Sequence, residues 1–180
     1  MTEDILKYAE EAKALGIRSY TGTPVEDLMI SLWWAEMRES GELTKIFSAS
    51  CQSLGNFYPL FKSPNWMFYK LDSNGPQLML WASKLLSAVS VGIWLAPRSR
   101  MDPEVYRAVQ IIYYALFQAY PINLGITKRK KLLTTFESLG YNIVGEIPGL
   151  LDGEPTWLVH LSKESFENSK LNPDKHDPRR

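Results

Sequence analysis

The chain contains one cysteine, two histidines, no net charge and no apolar run long enough to span a bilayer. Each shortage excludes something. A lone Cys51 forms no internal disulfide, and His160 and His176 are too few for a metal cluster, so no metal site is expected. Lys plus Arg number 20 and Asp plus Glu number 20, so no global field points to nucleic acid or an anionic membrane. The best apolar candidate, SAVSVGIWLAP, is too short for a membrane span. Acidic residues at positions 3 and 4, with no apolar signal core after them, argue against secretion. The expectation is a cytoplasmic protein without a membrane partner.

What is present suits a folded domain. A chain of 180 residues, 45% apolar and 12% aromatic, can bury a substantial core. DILKYAEEAKALGI places Ile5, Ala9, Ala12 and Leu15 at helical spacing, with Gly16 where a left-handed C-terminal cap belongs. Thr23-x-x-Glu26 is a capping box with Pro24 at the first helical position, opening a helix to about Ser40. LTKIFSASCQSLGNFYPLFK is a weaker helical pattern, interrupted at Gly55 and ended by Pro59 or Pro64. From Asn65 the character changes. WMFYKL and QLMLWAS flank the turn DSNGP as a hairpin, and AVSVGIWLA follows as a third strand whose Gly92 implies a bulge or close backbone approach. A helix from Pro103 to Tyr120, apolar on most of its surface, precedes the strand INLGI. KKLLTTFESLGY is a helix capped by Gly140, and NIVGEIP and TWLVHLS close the chain as a hairpin. The fold class is α/β (α+β), a mixed and mostly antiparallel sheet flanked by helices, with a helical N-terminal segment. Residues 1–64 form N-terminal helices, 65–163 the core, and 164–180 a charged tail with little to bury.

This order, with WLAPRSRMDPEV and RKKLLTTFESLGY, resembles the GNAT superfamily of N-acyltransferases over residues 65–162. In that family a strand ends in proline, and an Arg-x-x-Gly-x-Gly/Ala loop leads into a helix whose amides hold the pyrophosphate of acyl-coenzyme A. Pro97 and Arg100 fall on that pattern, while Phe136, Gly140 and Tyr141 fall in the register of the family's Tyr-x-x-x-Gly-Phe. The hairpin turn at Asp152 and Gly153 is like the turn between the family's last two strands. No counterpart of the usual first strand is evident before residue 20. For an active enzyme the resemblance implies acetyl-coenzyme A held between strands near Val91, Leu95 and Leu124, with Arg98, Arg100 and Arg129 as further cofactor-binding residues.

The residues depart from the pattern where its chemistry is concentrated. Pro103 and Val105 stand at the two glycine positions, where backbone amides must approach phosphates unobstructed. Proline has no amide to give. Asp102 followed by Pro103 reads as a self-capped helix start, with Glu104 adding negative charge. The position of the family's usual tyrosine acid is Phe136, which has no proton to donate, and the usual Asn position is Arg129. Tyr141 reads as a core aromatic. Two functions remain. One is a GNAT-fold protein with a degraded acyl-coenzyme A site, acting without a cofactor as a structural or interaction component. In general character it is similar to GNAT-like proteins of tailed bacteriophages, some virion-associated, which would place it in the host cytoplasm or virion. The other is an active acetyl-coenzyme A-dependent N-acetyltransferase with an atypical loop.

Other features carry weaker expectations. The basic run Lys128–Lys131 follows Thr127, a candidate N-cap, and puts cations in a first helical turn where the macrodipole disfavours them. It reads as a solvated face first, and as an anionic or nucleic-acid contact second. His160 lies on a strand as a structural histidine, and Cys51 reads as packed. Trp33 and Trp34 point about 100° apart on a helix, so one is expected outside the core, on an interface or half-buried. The tail has the composition of a flexible terminus, to be ordered only if a protein partner or neighbouring subunit holds it.

Overall fold

A computed structural model describes residues 3–61 and 66–179. The change of character at Asn65, the division at 64/65 and the Pro64 helix stop lie outside the described residues.

Helix α1 (Glu3–Ala14) ends at Gly16, whose φ of 72° lets the Ile17 amide reach back to the Ala12 carbonyl at 2.9 Å. Its buried face is Tyr8, Ala12 and Leu15, while Ala9, expected on that face, is exposed. The large tyrosine ring wins the interior because it has far more apolar area to remove from water. Strand β1 (Arg18–Ser19) then pairs antiparallel with β2 (Trp66–Asp72). A first strand before residue 20 therefore exists, and two residues are too few to leave an alternation in the sequence. Helix α2 (Pro24–Glu39) opens with the expected capping box, in which the Glu26 amide donates to Thr23 Oγ1 at 3.3 Å and the Thr23 amide to Glu26 Oε2 at 2.9 Å.

The weak helix over 43–62 is instead broken into α3 (Leu43–Ile46), a 3-10 turn (Ala49–Gln52), α4 (Leu54–Phe57) and a second 3-10 turn (Tyr58–Phe61). Gly55 sits inside α4 and interrupts nothing. Ser48 and Ser53, both in extended backbone, set two of the breaks.

Strands β3 (Gly75–Leu85) and β4 (Ala88–Leu95) continue the antiparallel meander. Helix α5 (Pro103–Ala119) crosses to β5 (Ile122–Thr127), which lies parallel to β4. After α6 (Leu133–Ser138), β6 (Asn142–Leu151) and β7 (Glu154–Ser162) form the closing hairpin. The sheet order is β1-β2-β3-β4-β5-β7-β6, with β7 inserted between β5 and β6. Gly140, at a φ of 92°, ends α6 as expected.

The two sheet faces are covered differently. On one, Val105, Ala108, Val109, Ile112, Tyr113, Leu116 and Phe117 of α5 pack on Leu78, Leu80, Val89, Val159 and Leu161. On the other, Trp33 of α2 meets Phe47, Phe57, Phe61, Trp81 and Trp94 at centroid distances of 5.3–6.0 Å. Trp34 belongs to this second core as well, half-buried with its indole N–H on the Cys51 carbonyl at 3.0 Å. Cys51 is buried there.

The C-terminal segment is a correction to the sequence expectation. Helix α7 (Lys163–Glu167) seats Phe166 against Phe117, ring centroids 4.4 Å apart, and Leu171 is 2% exposed. Gln110, fully buried on α5, donates to the carbonyls of Lys170 and His176 at 2.7 and 2.8 Å. Arg107 donates to the Pro173 carbonyl at 2.8 Å and forms a two-point pair with Glu11 of α1. The tail is held by its own chain, and its anchor is polar as much as apolar.

Candidate functional site

Strands β4 and β5 pair only at Ala88–Ile122, Val89–Asn123 and Ser90–Leu124. Beyond those residues β4 runs on to Leu95 and β5 to Thr127 without pairing to each other, so the sheet opens into a gap at their C-terminal ends. Open α/β sheets bind ligands at such a point, just outside the strand ends. The residues that follow the two strands therefore define the candidate site.

The loop after β4 begins with a 3-10 turn (Pro97–Ser99) and carries Arg98 and Arg100. Arg98 turns towards the β2–β3 hairpin, where it grips Asp72 through two bonds of 3.2 Å, Glu36 at 3.3 Å and the Pro76 carbonyl at 3.0 Å. The Arg98 guanidinium holds the Asp72 carboxyl below its ordinary range. Arg100 turns the other way, donating to Glu42 Oε1 at 2.5 Å. Past the end of β5, Arg129 approaches the same carboxylate at 3.6 Å. The structure thus brings Arg100 and Arg129 together and sends Arg98 elsewhere.

Glu42 is the residue that the sequence reading missed. It precedes α3, its side chain is 10% exposed, and its second oxygen accepts the Trp94 indole N–H at 2.9 Å. Burial pushes its carboxyl up, but the Trp94 and Arg100 bonds and the two guanidinium charges outweigh that and hold it below the ordinary range. Trp94 is on β4 and Arg129 lies just past β5, so this one carboxylate bridges the mouth of the gap. No local motif marks it.

The same segment is fastened further along. Lys128, its side chain 6% exposed, donates to the carbonyls of Thr44 and Phe47 at 3.2 and 3.4 Å and pairs with Asp152 at 2.6 Å. Asp152 also accepts the Ala49 amide at 2.9 Å, and these bonds hold its carboxyl below the ordinary range. The basic run is consequently divided: Lys128 and Arg129 turn inward, while Lys130 and Lys131 face solvent. Nor does Thr127 cap a helix. Its hydroxyl accepts the Arg129 amide at 3.0 Å, and a 3-10 turn (Lys130–Leu132) intervenes before α6.

The α5 N-terminus carries the side-chain cap that its sequence predicts. Asp102 Oδ1 accepts the Glu104 amide at 2.9 Å, Pro103 supplies no amide, and Val105 is fully buried. The strand residues occupy mixed positions. Val91 is buried towards α5, Leu95 packs against the same core, and Leu124 is half-buried opposite Ser90 and His160. Gly92 is a close-approach position: a Cβ there would lie 2.1 Å from the Trp81 indole. Phe136 stacks edge-on against Tyr141, whose hydroxyl donates to Tyr113 at 2.7 Å, both tyrosines being buried. Burial raises the Tyr141 hydroxyl far above its usual value, so it is a core group without access to the gap.

No family model matches the chain, and no curated protein matches it. Solved structures do. It is similar to a ribosomal-protein-S5-alanine acetyltransferase from Vibrio fischeri, at 14% identity and a TM-score of 0.61 over 84% of this chain and 95% of that one. A spermidine N-acetyltransferase from Vibrio cholerae aligns at 8% identity and 0.62 over 84% and 97%. An aminoglycoside N(6')-acetyltransferase from Legionella pneumophila aligns at 13% identity and 0.62 over 85% and 95%. With the seven-stranded order and the parted β4 and β5, these likenesses show that the chain has the GNAT acetyltransferase fold, in a form far diverged in sequence.

Proposed function

We propose that this GNAT-fold protein has a closed cofactor cradle and works as a non-catalytic interaction or assembly component, similar in general character to phage-encoded GNAT-like proteins. The carrying observation is that Glu42, an in-chain carboxylate, bridges Arg100 and Arg129 at the mouth of the β4–β5 gap. Asp102 occupies an amide at the helix end beside it, and Asp72 and Glu36 engage Arg98. A pyrophosphate entering here would displace one carboxylate from two guanidinium groups and face a second at the helix start. Each such substitution costs on the order of 1 kcal/mol or more. The rings of Trp81 and Trp94 add bulk on the same side of β4.

The alternative, an acetyl-coenzyme A-dependent N-acetyltransferase with an atypical loop, is favoured by one observation: β4 and β5 do part after Ser90 and Leu124. In that case Arg100 and Arg129 would hold the cofactor's phosphates once Glu42 withdrew. Calorimetric titration with acetyl-coenzyme A separates the two. The closed-cradle reading expects no saturable binding to the wild type, and weak binding or none to Asp102→Ala. Micromolar binding by the wild type would overturn it.

A further inference from the structure

Resting on that closed-cradle reading, we propose that Arg100, Arg129 and Glu42 form a latched oxyanion site: Glu42 is a built-in counter-ion that excludes phosphate-type ligands from a pair of arginines otherwise fit to bind them. Two observations carry it. The first is the geometry of the latch, one carboxylate at 2.5 Å from Arg100 and 3.6 Å from Arg129, tied to β4 by Trp94. The second lies in Arg129 itself. Its Nε and Nη2 are buried, yet neither has a hydrogen-bond partner among the described residues. Buried guanidinium donors are ordinarily matched, because an unmet one carries its full desolvation cost.

Glu42 does not meet them. One of its oxygens serves Arg100 and the other serves Trp94, and at 3.6 Å Arg129 is left with a charge contact and no hydrogen bond to it. A phosphate-type group has more acceptor oxygens than a carboxylate and could bond both guanidinium groups at once. The site is therefore electrostatically neutralised but under-bonded. Glu42 follows Gly41, which sits at a φ of 67° in the short turn between α2 and α3.

The test is calorimetric titration with inorganic pyrophosphate, applied to the full chain and three variants. Glu42→Gln keeps the shape and one acceptor oxygen but removes the charge. It is expected to bind pyrophosphate at least tenfold more tightly than the wild type. Adding Arg129→Gln to that variant is expected to return affinity to the wild-type level. If Glu42→Gln does not fold, Glu42→Asp, whose shorter carboxylate draws back from Arg129, should show a smaller gain of the same sign. No gain in a folded Glu42 variant, or a gain that survives Arg129→Gln, overturns the latch. Acetyl-coenzyme A binding by the wild type would instead overturn the closed-cradle reading, so the two failures are distinguishable.

Discussion

The two faces of the sheet are built on different physical plans. The α5 face is mainly aliphatic, one long helix laid over strands so that 3.6-residue and two-residue periods interlock. The opposite face is a nest of rings in which Trp33 touches five other aromatics, supplied by α2, β3, β4 and short pieces with no shared period. Aliphatic layers tolerate volume-conserving exchange, whereas interlocked rings of fixed shape accept little. The ring-lined face is also the one from which Glu42 reaches the gap, so its rigidity bears on the site.

The largest expected effect breaks that comparison at its centre. Trp33→Ala removes a fully buried indole and should cost about 3–5 kcal/mol in chemical denaturation. Ile112→Val on the α5 face should cost only about 0.5–1.5 kcal/mol. Next come two glycines, one for each face. A Cβ at Gly92 would meet the Trp81 ring at 2.1 Å, and one at Gly125 would meet Val159 at 3.1 Å. Gly92→Ala should therefore lose about 1–3 kcal/mol and disturb tryptophan fluorescence, with Gly125→Ala clearly milder.

A pH series sharpens the comparison at the polar edge of the ring-lined face. Glu26 accepts from Thr21, Thr23 and Tyr69, and although burial opposes it, these bonds bring its carboxyl down to about 2. A carboxyl lowered on folding stabilises the protein above its unfolded value of about 4.5, and that contribution fades as pH falls towards about 2. Glu26→Gln should be less stable at neutral pH and show a shallower loss of melting temperature through that window. The smallest effect lies outside both faces. Leu86, 88% exposed in the β3–β4 turn, holds a φ of 56° that leucine rarely adopts. Leu86→Asn should raise stability by up to about 1 kcal/mol.

Local rules explain which of this was legible in the sequence. The starts of α2 and α5 could be read because a cap and a proline act within four residues. The apolar run of α5 and the positions of strands β2 to β7 along the chain were visible in local composition. Strand β1 was not, having only two residues, and neither were the short pieces over 43–61, whose burial is set by the rings they meet. The tail looked disordered because its hold depends on Arg107 and Gln110, more than 60 residues away, donating to its carbonyls. The candidate site divided in the same way. Asp102 capping was predictable from its neighbours. Glu42 was not, because Trp94 and Arg100 lie 52 and 58 residues along the chain.

The central claim is that the charges of the arginines at the strand ends are already neutralised by the chain's own carboxylates. Guanidinium Nε–H resonances of Arg98, Arg100 and Arg129, assigned by substitution and followed by NMR as acetyl-coenzyme A is added to millimolar concentration, test it most directly. The closed cradle predicts that none of the three moves. A saturable shift of Arg100 and Arg129 together would contradict it and place a phosphate where Glu42 now sits.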